Sequence, residues 1–399
     1  MIFMSYWFAA FAASFFILYF AVPYREIRKF FILMYGAAFQ IHFAGPAGVI
    51  PIVVLGTATY LSGAFLHRGL IKLIIILCVI SLIFYKYTIF IAAELLGVFS
   101  KELAENSIVY LKQTILPAAP PLAISFFVFE FVHYLADVLR GEPPIRSAKD
   151  FSLFVLFWPS IVAGPVKRYE QFIPSLERGC GKFLAEDVMT GMMRVASGLI
   201  KKFVADNMTL MIDFYNPQFD VVSVETRWLI FLGIGFRILL DFSGYSDIAI
   251  GFARMMGIKL PENFNFPYLA RSPIDFWHRW HISLSTWIRD YIYIPLGGGR
   301  NGAYRKLLNG LLAFAVCGLW HGAGWNFLVW GLYHGTGIAV NNFWKDKKQC
   351  LTIDIGELFP VTYSIFSRIL TFLFVMTGWL YFFFPVTKAT HMLKLLIGL

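Results

Sequence analysis

Apolar residues in this chain run together rather than alternating with polar ones. Met1–Tyr24, Phe30–His67, Leu307–Trp344 and Ile369–Thr387 contain no Asp, Glu, Lys or Arg. Each has the length, about 20 residues, that carries a helix across a hydrocarbon core. A backbone in lipid must pair its own N–H and C=O groups, so a span is a helix or a closed barrel, and no stretch here shows the two-residue period of barrel strands. The pattern predicts an all-α, polytopic integral membrane protein. Spans are expected near residues 3–23, 30–62, 70–98, 119–139, 150–166, 189–213, 226–256, 306–342 and 362–387. The second and eighth are long enough for two helices or a re-entrant pair, which gives about nine to twelve membrane helices. No repeat, Gly/Ser linker or low-complexity tract divides them, so residues 1–399 read as one membrane domain.

The first run lacks the basic leader and small-residue cleavage site of a signal peptide, and is expected to be a retained span. Arg25, Arg28 and Lys29 follow it, which by the positive-inside rule places the N-terminus outside.

Residues 257–305 break the pattern, with charges and aromatics between two apolar stretches. Ser272-Pro273-Ile274-Asp275 has the order of a helix start, a serine cap followed by proline at the first helical position and an acid two residues on. A single amphipathic helix is expected from there to about Tyr293. At 3.6 residues per turn Phe276, Trp280, Leu284, Trp287 and Tyr291 form one stripe, and His278, His281, Ser285 and Arg289 another. Such a helix lies at the interface or lines a cavity, with the aromatic stripe as its anchor. Pro295 and Gly297–Gly299 end it in a tight turn.

Composition supports this reading. The chain is 58% hydrophobic and 15% charged, against about 25% charged in an ordinary soluble domain, so it cannot cover a water-facing surface. The net charge of +10 is scattered over short loops such as Lys167–Arg168, Lys201–Lys202 and Lys345–Lys348. That distribution fits anionic headgroups, not nucleic acid. Cys78, Cys180, Cys317 and Cys350 have no metal-ligand spacing and no assigned role, and no metal site is expected.

An ionisable residue inside a membrane segment is a functional candidate, because burying it is expensive without a partner or a wet cavity. His321 stands out, in Gly318-Leu319-Trp320-His321-Gly322-Ala323-Gly324-Trp325, midway through a 38-residue run without charges. Its flanking glycines permit close backbone approach. A hydrogen bond to a neighbouring helix is the alternative. His281 lies on the polar stripe, facing a tunnel or a solvated interface. His278 is its neighbour, but no third ligand makes the pair a metal site. His334, 13 residues after His321, comes close to it in a helical hairpin, whereas His42, His67, His133 and His391 have no such context. Arg237 and Asp241 have the spacing of an ion pair. Asp247, beside Tyr245 and Ser246, is a candidate substrate contact instead. No serine elbow, nucleotide-binding glycine loop or glycosidase carboxylate pair appears in its required setting. A histidine-centred reaction without a protein nucleophile remains.

Four stretches carry a family resemblance: PLAISFFVFEFVHYLADVLRG (121–141), WPSIVAGPVKRYEQF (158–172), LDFSGYSDIAIGFARMMGIKLPENFNFPYLARSPIDFWHRWHISLSTWIRDYIYIPLGG (240–298) and GLWHGAGWNFLVWGLYHG (318–335). In these the chain resembles the membrane-bound O-acyltransferases, and within them the alginate O-acetylation subgroup, over about residues 117–345. The resemblance implies helices ringed around a central tunnel, in a multi-pass protein of a bacterial cytoplasmic membrane. It implies that His321 is the catalytic base and His281 the second motif histidine. The implied donor is a cytoplasmic thioester such as acetyl-CoA, with no permanently bound cofactor. Arg279, Arg289 and Arg300 are the expected contacts to its phosphates, and Tyr245, Asp247, Trp320 and His334 the expected substrate contacts. The glycan acceptor is then reached through a separate extracytoplasmic O-acetyltransferase partner. D-alanyl transfer to teichoic acid, a non-catalytic acyl channel or transporter, and a scaffold for polysaccharide export are the alternatives.

Overall fold

A computed structural model describes residues 3–65, 67–117, 120–162, 164–300, 302–348 and 359–398; Cys350 lies outside them. Described residues outside turns and loops are helical, apart from one isolated β-bridge. Among the described residues four helices are long and apolar enough to cross a membrane: α2 (Arg25–Phe65), α3 (Arg68–Gly97), α9 (Val224–Met255) and the later Pro360–Phe383. α1 (Tyr6–Ala21) is a shorter apolar helix. The all-α, multi-helix membrane architecture expected from the sequence is the one found. The stretch 150–166 is no span: its helix stops at Val155, and Pro159, Gly164 and Pro165 keep the rest irregular. The run 306–342 divides into α12 (Gly302–His321) and α13 (Trp325–Lys348).

The chain forms two compact units, one of Met1–Leu199 with Ser246–Pro261 and one of Ile200–Tyr245 with Glu262–Leu399. In the first, α1 lays Phe8, Phe11, Phe15 and Phe16 around the fully buried Trp158. α2 bends at Gly45, whose φ of 63° only glycine adopts without strain. The next residue, Pro46, removes an N–H from the ladder there. α3 has only 11% of its most apolar window buried: Ile71 and Ile74 turn inward, while Leu73, Ile76, Leu77 and Ile80 face outward. Cations assigned above to headgroups turn inward instead. Lys29 pairs with Glu177, and Arg28 donates to the carbonyls of Val22 at 2.8 Å and Cys180 at 3.1 Å. Lys167 is buried against Glu130. In the second unit Lys202 is buried beside Asp206 at 2.5 Å and Asp241 at 2.7 Å. The expected Arg237–Asp241 pair is therefore not formed: Lys202 holds Asp241, and Arg237 donates to Thr209 Oγ1 at 2.9 Å. A buried charge takes whichever partner completes its shell, not the nearest in sequence.

The second unit is built on a close helical hairpin. A Cβ at Gly318 of α12 would stand 2.1 Å from the carbonyl oxygen of Phe327 on α13, and one at Gly331 would stand 2.2 Å from that of Phe314. Only glycine allows two backbones to approach so far. Pro360–Phe383 then packs on α13, with Tyr333 stacked on Phe374 at 4.4 Å.

Ser272 caps α10 (Pro273–Trp277) as expected, accepting a bond from the Asp275 amide. The single helix to Tyr293 is not found. α10 stops at Trp277, α11 covers only Ile282–Ile288, and a π-helical turn takes Arg289–Tyr293. Between them Trp280 forms a β-bridge with Phe264. The Asn265 amide donates to the Arg279 carbonyl at 3.0 Å, and the Ile282 amide to that of Asn263 at 3.1 Å. The buried Asn263 side chain accepts from the Ser283 hydroxyl at 2.7 Å and from its amide at 3.3 Å. His281 adopts φ 42°, ψ 54° to join the pieces, a left-handed conformation that costs a non-glycine residue about 1–3 kcal/mol and persists only where its surroundings impose it. The aromatic stripe is consequently no lipid anchor: Phe276, Trp280 and Trp287 are buried in protein, with Trp280 against Trp379 at 4.7 Å.

Two consequences are measurable. Gly331→Ala should lower the unfolding temperature in mild detergent, since overpacking of this kind costs roughly 1–3 kcal/mol. Gly310→Ala, on the same hairpin with nothing within 4 Å of its Cβ position, should hold or raise it; equal losses would refute the close-packing account. Asn263→Ala should strand the buried Ser283 donors at a cost of about 1–3 kcal/mol and speed amide exchange at Ile282 and Ser283. Unchanged exchange would mean that the bridge alone maintains the break.

Candidate functional site

The left-handed turn takes His281 out of line with His278, Ser285 and Arg289 and into an aromatic cluster. Its ring stands 4.5 Å from that of Phe242 and 6.3 Å from Trp320, and it is 1% exposed. Neither ring nitrogen has a hydrogen-bond partner among the described residues. The position lies outside the spanning helices, and burial, with the nearby His321 ring as a second cause, holds its pKa well below the ordinary imidazole value. It is a neutral imidazole at any physiological pH.

His321 is the last residue of α12. It is half-buried, with Trp320 at 4.8 Å, Phe382 at 5.0 Å and Trp330 at 5.1 Å. The following glycine is forced by Phe327, whose ring would stand 2.0 Å from a Cβ at 322. The hairpin does bring His334 near, through Trp330, which contacts both rings. His334 is, however, fully enclosed. Trp277 Nε1 donates to its Nδ1 at 3.3 Å, and a Cβ at Gly378 would lie 2.7 Å from its Nε2. Of these three histidines, His321 has the most open ring.

Beside the cluster lies a largely apolar cavity of about 970 Å³, built by α10 to α13. Ile282, next to His281, and Cys317, one turn before His321, face it, while His278, Arg289 and Lys306 give it polar ground. Arg289 is exposed and paired with Asp290 at 2.8 Å. The other two arginines singled out by sequence are placed differently. Arg279 is bound to Asp275 at 2.7 Å and to the Asn265 carbonyl, and Arg300 is exposed beyond the glycine turn, outside the lining. Gly297 and Gly298 make that turn at φ 107° and 56°, fixed by a bond from Asn309 to the Gly298 carbonyl.

Tyr245 sits over the ammonium of Lys202 at 5.3 Å. Asp247 belongs to the first unit, ion-paired with Arg194 at 3.0 Å. Sequence reasoning overlooked Asn263 and Lys306. The dense Asn263-Phe264-Asn265-Phe266-Pro267 run, rich in turn formers beside a histidine helix, was the available signal for the first. Among the described residues no three His, Cys, Asp or Glu side chains are grouped as metal ligands.

Comparison with known proteins bears on this arrangement. The chain is 40% identical over 264 residues to the probable alginate O-acetylase AlgI of Azotobacter vinelandii, covering 66% of this chain and 50% of that protein. It is 33% identical over 307 residues to the peptidoglycan O-acetyltransferase of Helicobacter pylori, covering 70% and 57%. With the teichoic acid D-alanyltransferase of Bacillus subtilis the figures are 29% over 279 residues, covering 65% and 68%. The chain thus spans about half the length of the alginate-type relatives it matches. The model of the membrane-bound O-acyltransferase family matches residues 98–347, a range that includes His281, Arg289, Lys306, His321 and His334, and on that match the chain belongs to the membrane-bound O-acyltransferase family.

Proposed function

We propose that the protein transfers an acyl group, acetyl in the first instance, from a thioester donor such as acetyl-CoA toward hydroxyls of a cell-envelope or extracellular polysaccharide. The observation that carries this is the pairing of an accessible His321 with a buried, neutral His281 around Trp320, next to a cavity that is apolar with a basic edge. Higher identity to the O-acetylating relatives than to the D-alanyl-transferring one supports acetyl.

His321 takes the proton of the attacking hydroxyl while that oxygen bonds to the thioester carbonyl carbon. Collapse of the tetrahedral intermediate breaks the C–S bond, and the imidazolium returns the proton to the departing sulfur. Proton transfer by a placed base is typically worth about 10²–10⁴ in rate. Its place at the C-terminal end of α12 suits a ring that becomes cationic, since unpaired carbonyls there favour positive charge. His281, with no partner for either nitrogen, orients or relays for the same hydroxyl. Trp320 and His334 shape the aromatic wall, and Tyr245 is a proposed acceptor-side contact. Arg289, with Lys306, receives the anionic part of the donor while its acyl arm lies along the apolar lining; Arg279 and Arg300 are secondary. A separate extracytoplasmic O-acetyltransferase completes delivery to the glycan.

Purified protein, its partner, labelled acetyl-CoA and glycan provide the test. His321→Ala should abolish label transfer while leaving membrane insertion and partner binding intact; transfer at the wild-type rate would refute the assignment. Arg289→Gln should raise the KM for acetyl-CoA about tenfold or more, as loss of one charge-assisted bond implies, with kcat nearly unchanged, the mark of uniform binding. An unchanged KM in folded protein would exclude Arg289 as a donor contact.

A further inference from the structure

A second pocket, wholly within the first unit, takes no part in the chemistry above. It measures about 230 Å³, room for roughly seven waters at about 30 Å³ each. Four of its lining residues are cations, Lys167, Arg168, Arg178 and Lys259, and none is acidic. Lys167 is 1% exposed and spends its charge on Glu130, between the rings of Phe154 at 5.0 Å and Phe172 at 5.7 Å. Arg178 and Lys259 have no carboxylate partner among the described residues. Arg178 uses only Nε, on the Pro174 carbonyl at 3.2 Å, so both terminal nitrogens of its guanidinium remain for a ligand. The backbone of Lys259 is pinned by a 2.7 Å bond from its amide to Ser175 Oγ, which holds this side chain against α7 (Tyr169–Gly181). Arg168 and Gln171 come from the start of α7, the positive end of the helix dipole. Of the nearby carboxylates, Glu130 is committed to Lys167, and Glu170, although close to Arg168, does not line the pocket.

A concave site with unmatched guanidinium and ammonium groups recognises an oxyanion that accepts several bonds at once, and phosphate is the group that matches an arginine fork in this way. We infer that this pocket binds a phosphate ester, supplied by an anionic phospholipid headgroup or by a soluble phosphate. The pocket holds the phosphate and the first atoms of its ester. A lipid there would tie the unit to one leaflet; a soluble ligand would make the pocket a second small-molecule site.

Two measurements on the full-length protein test this and separate the sources. Native mass spectrometry from nanodiscs of phosphatidylcholine with a minor share of phosphatidylglycerol reads lipid retention. Equilibrium dialysis with radiolabelled inorganic phosphate, in neutral detergent, reads the soluble anion. Wild-type protein should retain phosphatidylglycerol preferentially, bind phosphate, or both, and whichever signal appears should fall at least about tenfold in R178Q/K259Q, as loss of a charge-assisted bond implies. The double variant K112Q/K182Q removes the same charge from exposed positions outside the pocket and should behave as wild type. Equal losses in both variants would show a general charge effect and overturn the inference, as would absence of both signals in wild-type protein.

Discussion

A helix that stops inside an apolar interior leaves N–H and C=O groups that must find other partners, and the second unit depends on how this is met between Trp277 and Ile282. The short stretch Asn263–Asn265 supplies those partners, through its own backbone and through the Asn263 side chain. Because it pairs with Arg279, Trp280 and Ile282, it denies the chain a continuous helix and drives His281 into the left-handed region. One backbone solution thereby decides which way an imidazole points. With an unbroken helix, His281 would share a face with His278 and Arg289 and open toward the cavity; with the break, it enters the aromatic cluster.

That cluster is completed from the opposite side by the α12–α13 hairpin. The contact at Gly318 and Gly331 brings Trp330 between His321 and His334, and Trp379 closes over Trp280 and Trp330. Dense aromatic packing of this sort keeps side chains in single positions. It also excludes water from most of the ring surface, which keeps the two deeper histidines neutral and leaves His321 as the one open to an incoming molecule.

Much of this was legible in the sequence for a plain reason: hydrophobic runs and a serine–proline helix start are local signals. Ser272 caps, Gly297 and Gly298 turn, and the 38-residue run folds back on itself. What escaped was non-local. Periodicity placed His281 on a polar stripe because it cannot register a β-bridge to residue 264. It paired Arg237 with Asp241 because i, i+4 neighbours are visible in sequence, whereas Lys202 is not. The same blindness assigned Lys167 to headgroups when its partner, Glu130, lies 37 residues away. The cavity lining draws on four helices and was visible only where an arginine happened to draw attention; Lys306 did not.

One feature of the first unit reaches beyond the protein itself. α3 contributes 30 residues, about 45 Å of helix, and only 11% of its most apolar window is fully buried. Its charge-free stretch, Leu73–Tyr85, is bounded by Lys72 and Lys86, about 21 Å apart along the axis and shorter than the roughly 30 Å of an average hydrocarbon core. Lys86 therefore ties this helix to the bilayer: in a thicker membrane its ammonium must reach further along its alkyl stem to meet the interface, and in a thinner one it meets it sooner. The short helix Lys101–Tyr110 and Ile124–Arg140 both pack on it, so lipid chain length becomes a mechanical input to the unit, delivered through the helix with the smallest buried share of the four described spans.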